Sequence, residues 1–332
     1  MHAIVYTEYG LPEVLKLKEV PKPSPKHDEI LIKNYASTVN YGDTIARNFS
    51  AVSPHKFTMP MLLWLPTRLV FGFRKPRKKI LGNEFAGEVV EVGKDVTKFQ
   101  PGDQVYGYRG QRMGCYAEYL TMPENGTVTL KPTNLTFAEA TVIPYGAIMT
   151  NLLKKGNINP GSKVLINGAS GGIGSASVQV AKNLGAEVTG VCGTPRLEFV
   201  KSLGADKVID YTQEDFTQNG ETYDLIFDIL GKSSFRKCKN SLNQNGCYLL
   251  ASFKMGDFFQ MLITKLIGSK KVICTFSSES GNDLSEMKEL VEVGKFKVII
   301  DKKFLLEQTP EAHEYVESGL KKGHVVITLD HL

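Results

Sequence analysis

The chain has 332 residues, of which 42% are hydrophobic and 23% charged, with a formal charge of +5. At roughly 100–200 residues per domain this length implies two domains, and the composition suits a globular protein with a full core. No run approaches the ~18 apolar residues needed to cross a bilayer, and Met1–Tyr6 reads as a strand rather than a signal peptide, so a cytoplasmic location is expected.

The first part of the chain alternates short strands and turns. Ala3–Tyr6, Leu15–Glu19 and Glu29–Tyr35 read as strands, separated by Tyr9-Gly10 and by Pro21-Lys22-Pro23-Ser24-Pro25. Glu84–Val92 and Gln104–Tyr106 continue a β-rich, barrel-like unit. Before them, Ser50–Lys79 looks like an insertion; it holds the single tryptophan, Trp64. Its second half crowds Arg68, Arg74, Lys75, Arg77, Lys78 and Lys79, which either attracts phosphates or is a solvated loop.

From about Lys163 strands and helices alternate. Strands are expected at Val164–Ile166, Glu187–Cys192, Lys207–Asp210, Tyr223–Ile229, Cys247–Ala251 and Val272–Phe276, with helices at Ile173–Leu184 and Arg196–Leu203. That rhythm implies a parallel sheet covered on both faces. Asp257–Gly268 is an amphipathic helix suited to core packing or a subunit contact. The tail supplies strands at Val298–Ile300 and Val325–Leu329 around a helix, Pro310–Leu320, and the last strand is placed to close the sheet of the first domain. The cysteines 115, 192, 238, 247 and 274 contain no C-x-x-C pair, against both a disulfide framework and a zinc lobe. Cys192, Cys247 and Cys274 fall in apolar runs and are expected to be buried thiols.

The densest chemical signal is Val164-Leu165-Ile166-Asn167-Gly168-Ala169-Ser170-Gly171-Gly172-Ile173-Gly174. A strand ends in a glycine turn and a helix begins inside it. Gly171 would let the backbone approach a pyrophosphate, Gly174 would let helix and strand pack closely, and the amides of Gly172 and Ile173 would face phosphates at the positive helix end. Ala169 stands in for the first glycine of G-x-G-x-x-G; Ala169, Ser170 and the four residues after them are the candidate phosphate loop. An NAD site places Asp or Glu about 20 residues beyond the glycines. Here that position reads Cys192-Gly193-Thr194-Pro195-Arg196, with no carboxylate, a hydroxyl donor at Thr194 and a cation at Arg196. NADPH is the expected cofactor.

These segments resemble the zinc-free medium-chain dehydrogenase/reductase superfamily, in its quinone oxidoreductase (zeta-crystallin-like) branch. The resemblance also rests on Tyr9-Gly10, Pro12–Leu15, Val39-Asn40-Tyr41-Gly42-Asp43, Gly82–Val89, Pro101–Val105 and Ser202–Asp206, and covers nearly the whole chain. It implies an α/β protein with a GroES-like β-rich catalytic domain, 1–124 and 278–332, split around a Rossmann doubly wound parallel-sheet domain, 125–277. It also implies a homodimer joined near Val272–Phe276. The zinc alcohol dehydrogenase branch carries a His where this chain has Asn83 and a Cys near Asn40–Asp43 where it has none, so no metal is expected.

Carried over by position, Asn40 would contact the nicotinamide ribose and Asp43 would order its loop. Thr150 would orient the nicotinamide amide, Arg196 and Tyr211 would grip the 2′-phosphate, and Gly231 and Phe253 would border the adenosine and the nicotinamide. Tyr41 and Tyr145 are the candidate proton donors by position. The implied activity is NADPH-dependent hydride transfer, in an interdomain cleft, to a quinone or other electron-poor carbonyl compound. The alternatives are reduction of an enal or enone double bond, or an NADPH-binding protein acting mainly through its basic 68–79 segment on nucleic acid or acidic membrane. A small-molecule substrate is expected, a membrane partner is not, and nucleic acid is disfavoured.

Overall fold

The 11-residue run Glu29–Val39 forms the spine of a seven-stranded sheet and is buried on both faces, with Ile30, Leu31, Ile32, Ala36 and Val39 in the core and Asn34, Ser37 and Thr38 buried among hydrogen-bond partners. The computed structural model that shows this describes residues 1–53, 57 and 60–329. Of the expected insertion Ser50–Lys79, residues 54–56 and 58–59 lie outside the described residues, as do residues 330–332.

Glu84–Val92 pairs antiparallel along the spine, and Tyr119–Pro123 covers its first half. The C-terminal strand His324–Thr328 pairs with its second half, placing Val325 opposite Val39 and Thr328 opposite Ala36. The end of the chain therefore completes the sheet that its beginning lays down. The expected strand at Val298–Ile300 lies instead at Ile300–Leu305, parallel to His324–Thr328. Val298 packs by its side chain against the core around Ala36 and Val326, so its apolar character reflects packing rather than strand pairing.

The short helix Tyr41–Arg47 follows the spine directly. Arg47, 1% exposed, locks it in place: Nε donates to the Gly10 carbonyl at 3.1 Å and Nη2 to Glu317 at 2.7 Å, with Nη1 3.2 Å from His313. Burial and the Arg47 charge push the His313 pKa down to about 3, so it accepts as a neutral ring. A buried cation needs this full set of partners.

The other sheet has six parallel strands in the spatial order Lys207–Asp210, Glu187–Cys192, Lys163–Asn167, Tyr223–Asp228, Leu242–Leu250, Lys271–Cys274. In chain order this is 3-2-1-4-5-6, the doubly wound arrangement. The central stretches of its strands are apolar, as burial on both faces requires; Val164, Leu165 and Ile166 are all 0% exposed. The order reverses between Lys163–Asn167 and Tyr223–Asp228, and ligands of such sheets bind at that switch point. All five cysteines are free, four buried and Cys274 half-buried.

By contacts the chain divides into Met1–Ser53, Thr67–Ala147 and Glu279–Leu332 in one unit and Pro54–Pro66 with Ile148–Ser278 in the other. The helix Gly172–Asn183 can pack on its strand only because residue 174 lacks a side chain. A Cβ there would lie 2.1 Å from the Gly168 carbonyl oxygen. Gly174→Ala is expected to cost about 2 kcal/mol or more through overpacking, read as a lower urea midpoint with an unchanged slope.

Candidate active site

The glycine turn sits at the switch point of the parallel sheet. Gly168 takes φ +97°, a conformation open to glycine, and turns the chain out of the strand. The amides of Gly168 and Ala169 both donate to the Val191 carbonyl, at 3.1 and 3.0 Å. Ala169 is thus fully buried with its amide committed. Among the expected cofactor residues it shapes the turn and offers no amide to a phosphate. Gly171 then caps the helix Gly172–Asn183 in extended conformation. A Cβ at Gly171 would meet no atom within 4 Å, so nothing in the protein itself demands glycine there. The amides of the first helical turn, Gly172, Ile173 and Gly174, have no acceptor one turn back, and the helix dipole adds positive potential at that end.

Asp228 holds the other side of the switch point. It is 0% exposed and accepts four hydrogen bonds: from Asn167 Nδ2 at 3.1 Å, the amides of Gly231 and Ser233 at 3.1 and 3.0 Å, and the Tyr248 hydroxyl at 2.8 Å. One carboxylate therefore ties the strand before the glycine turn to the loop carrying Gly231, which takes φ +60°. Sequence reasoning treated Asp228 as a strand residue; its signal was a charged side chain inside an apolar parallel strand. Thr150 is half-buried on the helix Ile143–Lys154, and Phe253 is buried with its ring 5.1 Å from that of Phe276.

At the end of the second parallel strand the expectation needs correction. Position 194 does have a carboxylate beside it, supplied by the neighbouring strand rather than by its own. The Thr194 hydroxyl donates to Asp210 at 2.5 Å, and Thr212 donates to the same side chain at 2.8 Å. These bonds hold the Asp210 carboxyl below the usual carboxylate range. Thr194 is thus engaged by a carboxylate and does not stand ready as a donor. Arg196 is half-buried in the same turn, and the exposed Tyr211 ring stands over Gly193, 3.5 Å from where a Cβ would be.

A second polar centre lies in the other unit. Asn40 and Asp43 form a reciprocal cap on the helix Tyr41–Arg47: Asn40 Oδ1 accepts from the Asp43 amide at 3.1 Å, and the Asn40 amide donates to Asp43 Oδ2 at 3.0 Å. Asp43 is 0% exposed and also accepts from the Gly82 amide at 3.3 Å, Asn83 Nδ2 at 3.2 Å and the Tyr116 hydroxyl at 3.0 Å. Burial pushes its pKa up to about 6, opposed by these donors.

Beside it stands Glu84, also buried, which sequence reasoning read only as the start of a strand. The Thr38 hydroxyl donates to Glu84 Oε2 in a short bond, and Asn40 Nδ2 donates to the same oxygen at 3.4 Å. Burial first, and the Asp43 charge second, push the Glu84 pKa up to about 8. Thr38 Oγ1 is in turn 3.4 Å from the Tyr145 hydroxyl. Tyr145 is buried, its ring 4.3 Å from that of His324, and burial raises its pKa well above the ordinary phenol value. The structure thus joins Asn40, Asp43 and Tyr145 around Glu84. Tyr41 is 62% exposed at the start of its helix.

Residues 26–132 match the alcohol dehydrogenase GroES-like domain, and residues 203–327 match a family described as zinc-binding dehydrogenase. A chloroplastic quinone oxidoreductase of Triphysaria versicolor is 33% identical over 341 residues, covering 98% of each chain. The chain belongs to the quinone oxidoreductase branch of the medium-chain dehydrogenase/reductase superfamily. A 2-methylene-furan-3-one reductase of Solanum lycopersicum is 33% identical over 344 residues, covering 98% of this chain and 79% of that protein. Among solved structures, the quinone oxidoreductase from Coxiella burnetii superposes with a TM-score of 0.86 at 28% identity, covering 99% of each chain. The GroES-like and Rossmann halves expected of this family are the two sheets described above.

For this oxidoreductase the raised Glu84 pKa sets a testable sign. The folded protein holds a proton on Glu84 up to about pH 8, whereas an unfolded Glu loses it near pH 4.3. Between those values the native state binds the extra proton, so stability falls as pH rises through the window. Asp43, raised to about 6, acts with the same sign at the lower end. Glu84→Gln should flatten the decline between pH 6 and 8 in denaturant titrations at a pH series. Parallel wild-type and variant curves there would contradict a protonated Glu84.

Proposed function

We propose that this chain is an NADPH-dependent oxidoreductase that reduces a quinone or other electron-poor carbonyl compound without zinc. The observation that carries the reading is the glycine turn and helix amino end at the switch point of a 3-2-1-4-5-6 sheet. The residues present fit a dinucleotide. Space is open over Gly171, first-turn amides are available, and Gly174 keeps the helix close to the strand. Ser170, Gly171, Gly172, Ile173 and Gly174 would hold the pyrophosphate, Arg196 and Tyr211 the 2′-phosphate, and Gly231 the adenosine. Thr150 and Phe253 would meet the nicotinamide, and Asn40 its ribose. The bound cofactor supplies hydride; the protein contributes binding, orientation and control of the proton.

Reduction of a quinone to a hydroquinone takes one hydride and one proton. The chain Glu84–Thr38–Tyr145 supports a proton route, because Glu84 is held protonated near neutrality and Thr38 touches both neighbours. Zinc independence is supported by the donor set. Asn83 stands where the zinc branch has an imidazole and gives its amide to Asp43, whose oxygens already receive other donors. The same machinery suits an enone, with hydride to one carbon and a proton to its neighbour, and the furanone reductase relative favours keeping that second reading. NADPH oxidation by the purified protein should proceed with a quinone and more slowly with an enone; reversed rates favour the enone reading, and no turnover with either dismisses the activity.

The cofactor preference has its own test. Arg196→Ala should raise KM for NADPH much more than for NADH, and Asp210→Asn should lower KM for NADPH by removing a negative charge beside Thr194. Equal changes for both nucleotides would remove Arg196 from the phosphate site and leave Asp210 and Thr194 to hold a ribose diol. Gly171→Ala should leave the melting temperature unchanged and weaken both nucleotides.

We also propose a homodimer. The strand Lys271–Cys274 is the last in the order of its sheet, and its Val272 and Cys274 amides donate to Thr264 Oγ1 at 3.0 Å and Met261 Sδ at 3.4 Å on the adjoining helix Met255–Leu266. On that helix Phe259, Ile263 and Leu266 are 56%, 57% and 84% exposed. An exposed apolar face on the helix that covers the last strand supports burial against a second copy. Ile263→Glu with Leu266→Glu should convert the dimer to monomer in sedimentation velocity; a monomeric wild type would refute the assembly.

A further inference from the structure

The helix Trp64–Phe71 turns an apolar stripe toward solvent. Leu62 on the preceding turn, Leu65, Leu69 and Val70 on the helix, and Phe73 just beyond it recur at helical spacing. They are 77%, 53%, 50%, 39% and 45% exposed. Such a stripe ordinarily faces a core; here it faces outward.

The segment is anchored, so the exposure is built in. The Tyr9 hydroxyl is 2.7 and 2.8 Å from the carbonyl oxygens of Phe71 and Gly72. Arg68 donates to the Phe49 carbonyl at 3.2 Å and lies over the Phe49 ring. Gly72, at φ +103°, turns the chain, and the Arg77 amide closes the end by donating to the Phe71 carbonyl at 2.8 Å. The turn then delivers Arg74, Lys75, Arg77, Lys78 and Lys79 next to the stripe, all exposed except the half-buried Lys78.

Charge identifies the partner. Residues 44–83 contain eight Lys and Arg and no Asp or Glu, so the remainder of a chain of net charge +5 carries −3. The positive excess therefore belongs to this one region. A nucleic acid would use the cations and leave the leucines and Phe73 in water. A bilayer with anionic headgroups takes both, with apolar side chains at the acyl boundary and cations at the phosphates. Among the described residues no helix is long and apolar enough to cross a membrane, so the contact is with a surface.

We infer that residues 62–79 are an interfacial docking element for anionic lipid bilayers. This departs from the expectation of no membrane partner and takes the acidic-membrane side of the alternative in which the basic segment carries the binding. If the oxidoreductase reading holds, docking also gives the enzyme access to bilayer-dissolved quinones, a consequence that rests on that reading.

Co-sedimentation of the full chain with phosphatidylcholine vesicles, with and without phosphatidylserine, tests the inference. Binding is expected only with phosphatidylserine and should weaken as salt rises. Leu65→Gln with Leu69→Gln, and separately Arg74→Ser with Lys75→Ser, should each lower vesicle affinity about tenfold or more. Both variants should keep the wild-type melting temperature and turnover of a water-soluble quinone. Absence of binding to anionic vesicles, equal binding to neutral ones, or wild-type binding by the leucine variant would overturn the element. Retention on duplex RNA without retention on vesicles would also overturn it, in favour of a nucleic-acid partner. Sedimentation needs no turnover, so a protein inert toward every quinone would end the oxidoreductase reading and leave docking standing.

Discussion

A carboxylate taken out of water survives in a fold only when donors surround it, and each sheet of this protein is organised around one such group. Asp228 collects Asn167, Gly231, Ser233 and Tyr248 at the switch point of the parallel sheet. Asp43 collects Asn40, Gly82, Asn83 and Tyr116 in the other unit. An unsatisfied buried donor costs about 1–3 kcal/mol, so removing either carboxylate would strand several at once. These two residues fix the loops that carry the candidate cofactor and proton groups. Neither has to touch a substrate to matter.

What the sequence made legible follows from the range of the interactions involved. The glycine turn, the parallel strands and the capping of Tyr41–Arg47 by Asn40 are local patterns, in which spacing alone carries the physical reason. Glu84, Asp228 and Asp210 were not legible as site residues, because their roles depend on partners 46, 61 and 16 residues away. The Asp210 case shows how a local rule misleads. The end of the second strand carries no acidic residue of its own, yet the neighbouring strand supplies one to the same corner. The missing clue in all three was a charged residue placed in an otherwise apolar strand or at its end.

The basic segment shows the reverse. Its composition was plain in the sequence, but composition does not say which way a helix faces. Only the anchoring of Phe71 and Gly72 by Tyr9, and of Arg68 by Phe49, turns the leucines outward and sets the cations beside them. Arg68, and Arg77 through its bond to the Leu69 carbonyl, belong to the anchor, and Arg74, Lys75, Lys78 and Lys79 to the surface, so a run that reads as one basic patch divides into two jobs.

The same reasoning decides which of two neighbouring carboxyls carries the proton. Asp43 and Glu84 are both buried, and the Asp43 charge raises the Glu84 pKa, so their ionisations oppose one another. Asp43 has four donors spread over both oxygens, whereas Glu84 has Thr38 and the longer contact from Asn40 on a single oxygen. Donors favour the charged form, so the first proton to leave as pH rises comes from Asp43, and Glu84 keeps its own. Asn40 couples the two by capping one and donating to the other. A proton is thereby stored on the residue whose neighbour, Thr38, leads toward Tyr145, and the charge is confined to the residue whose bonds hold the loop.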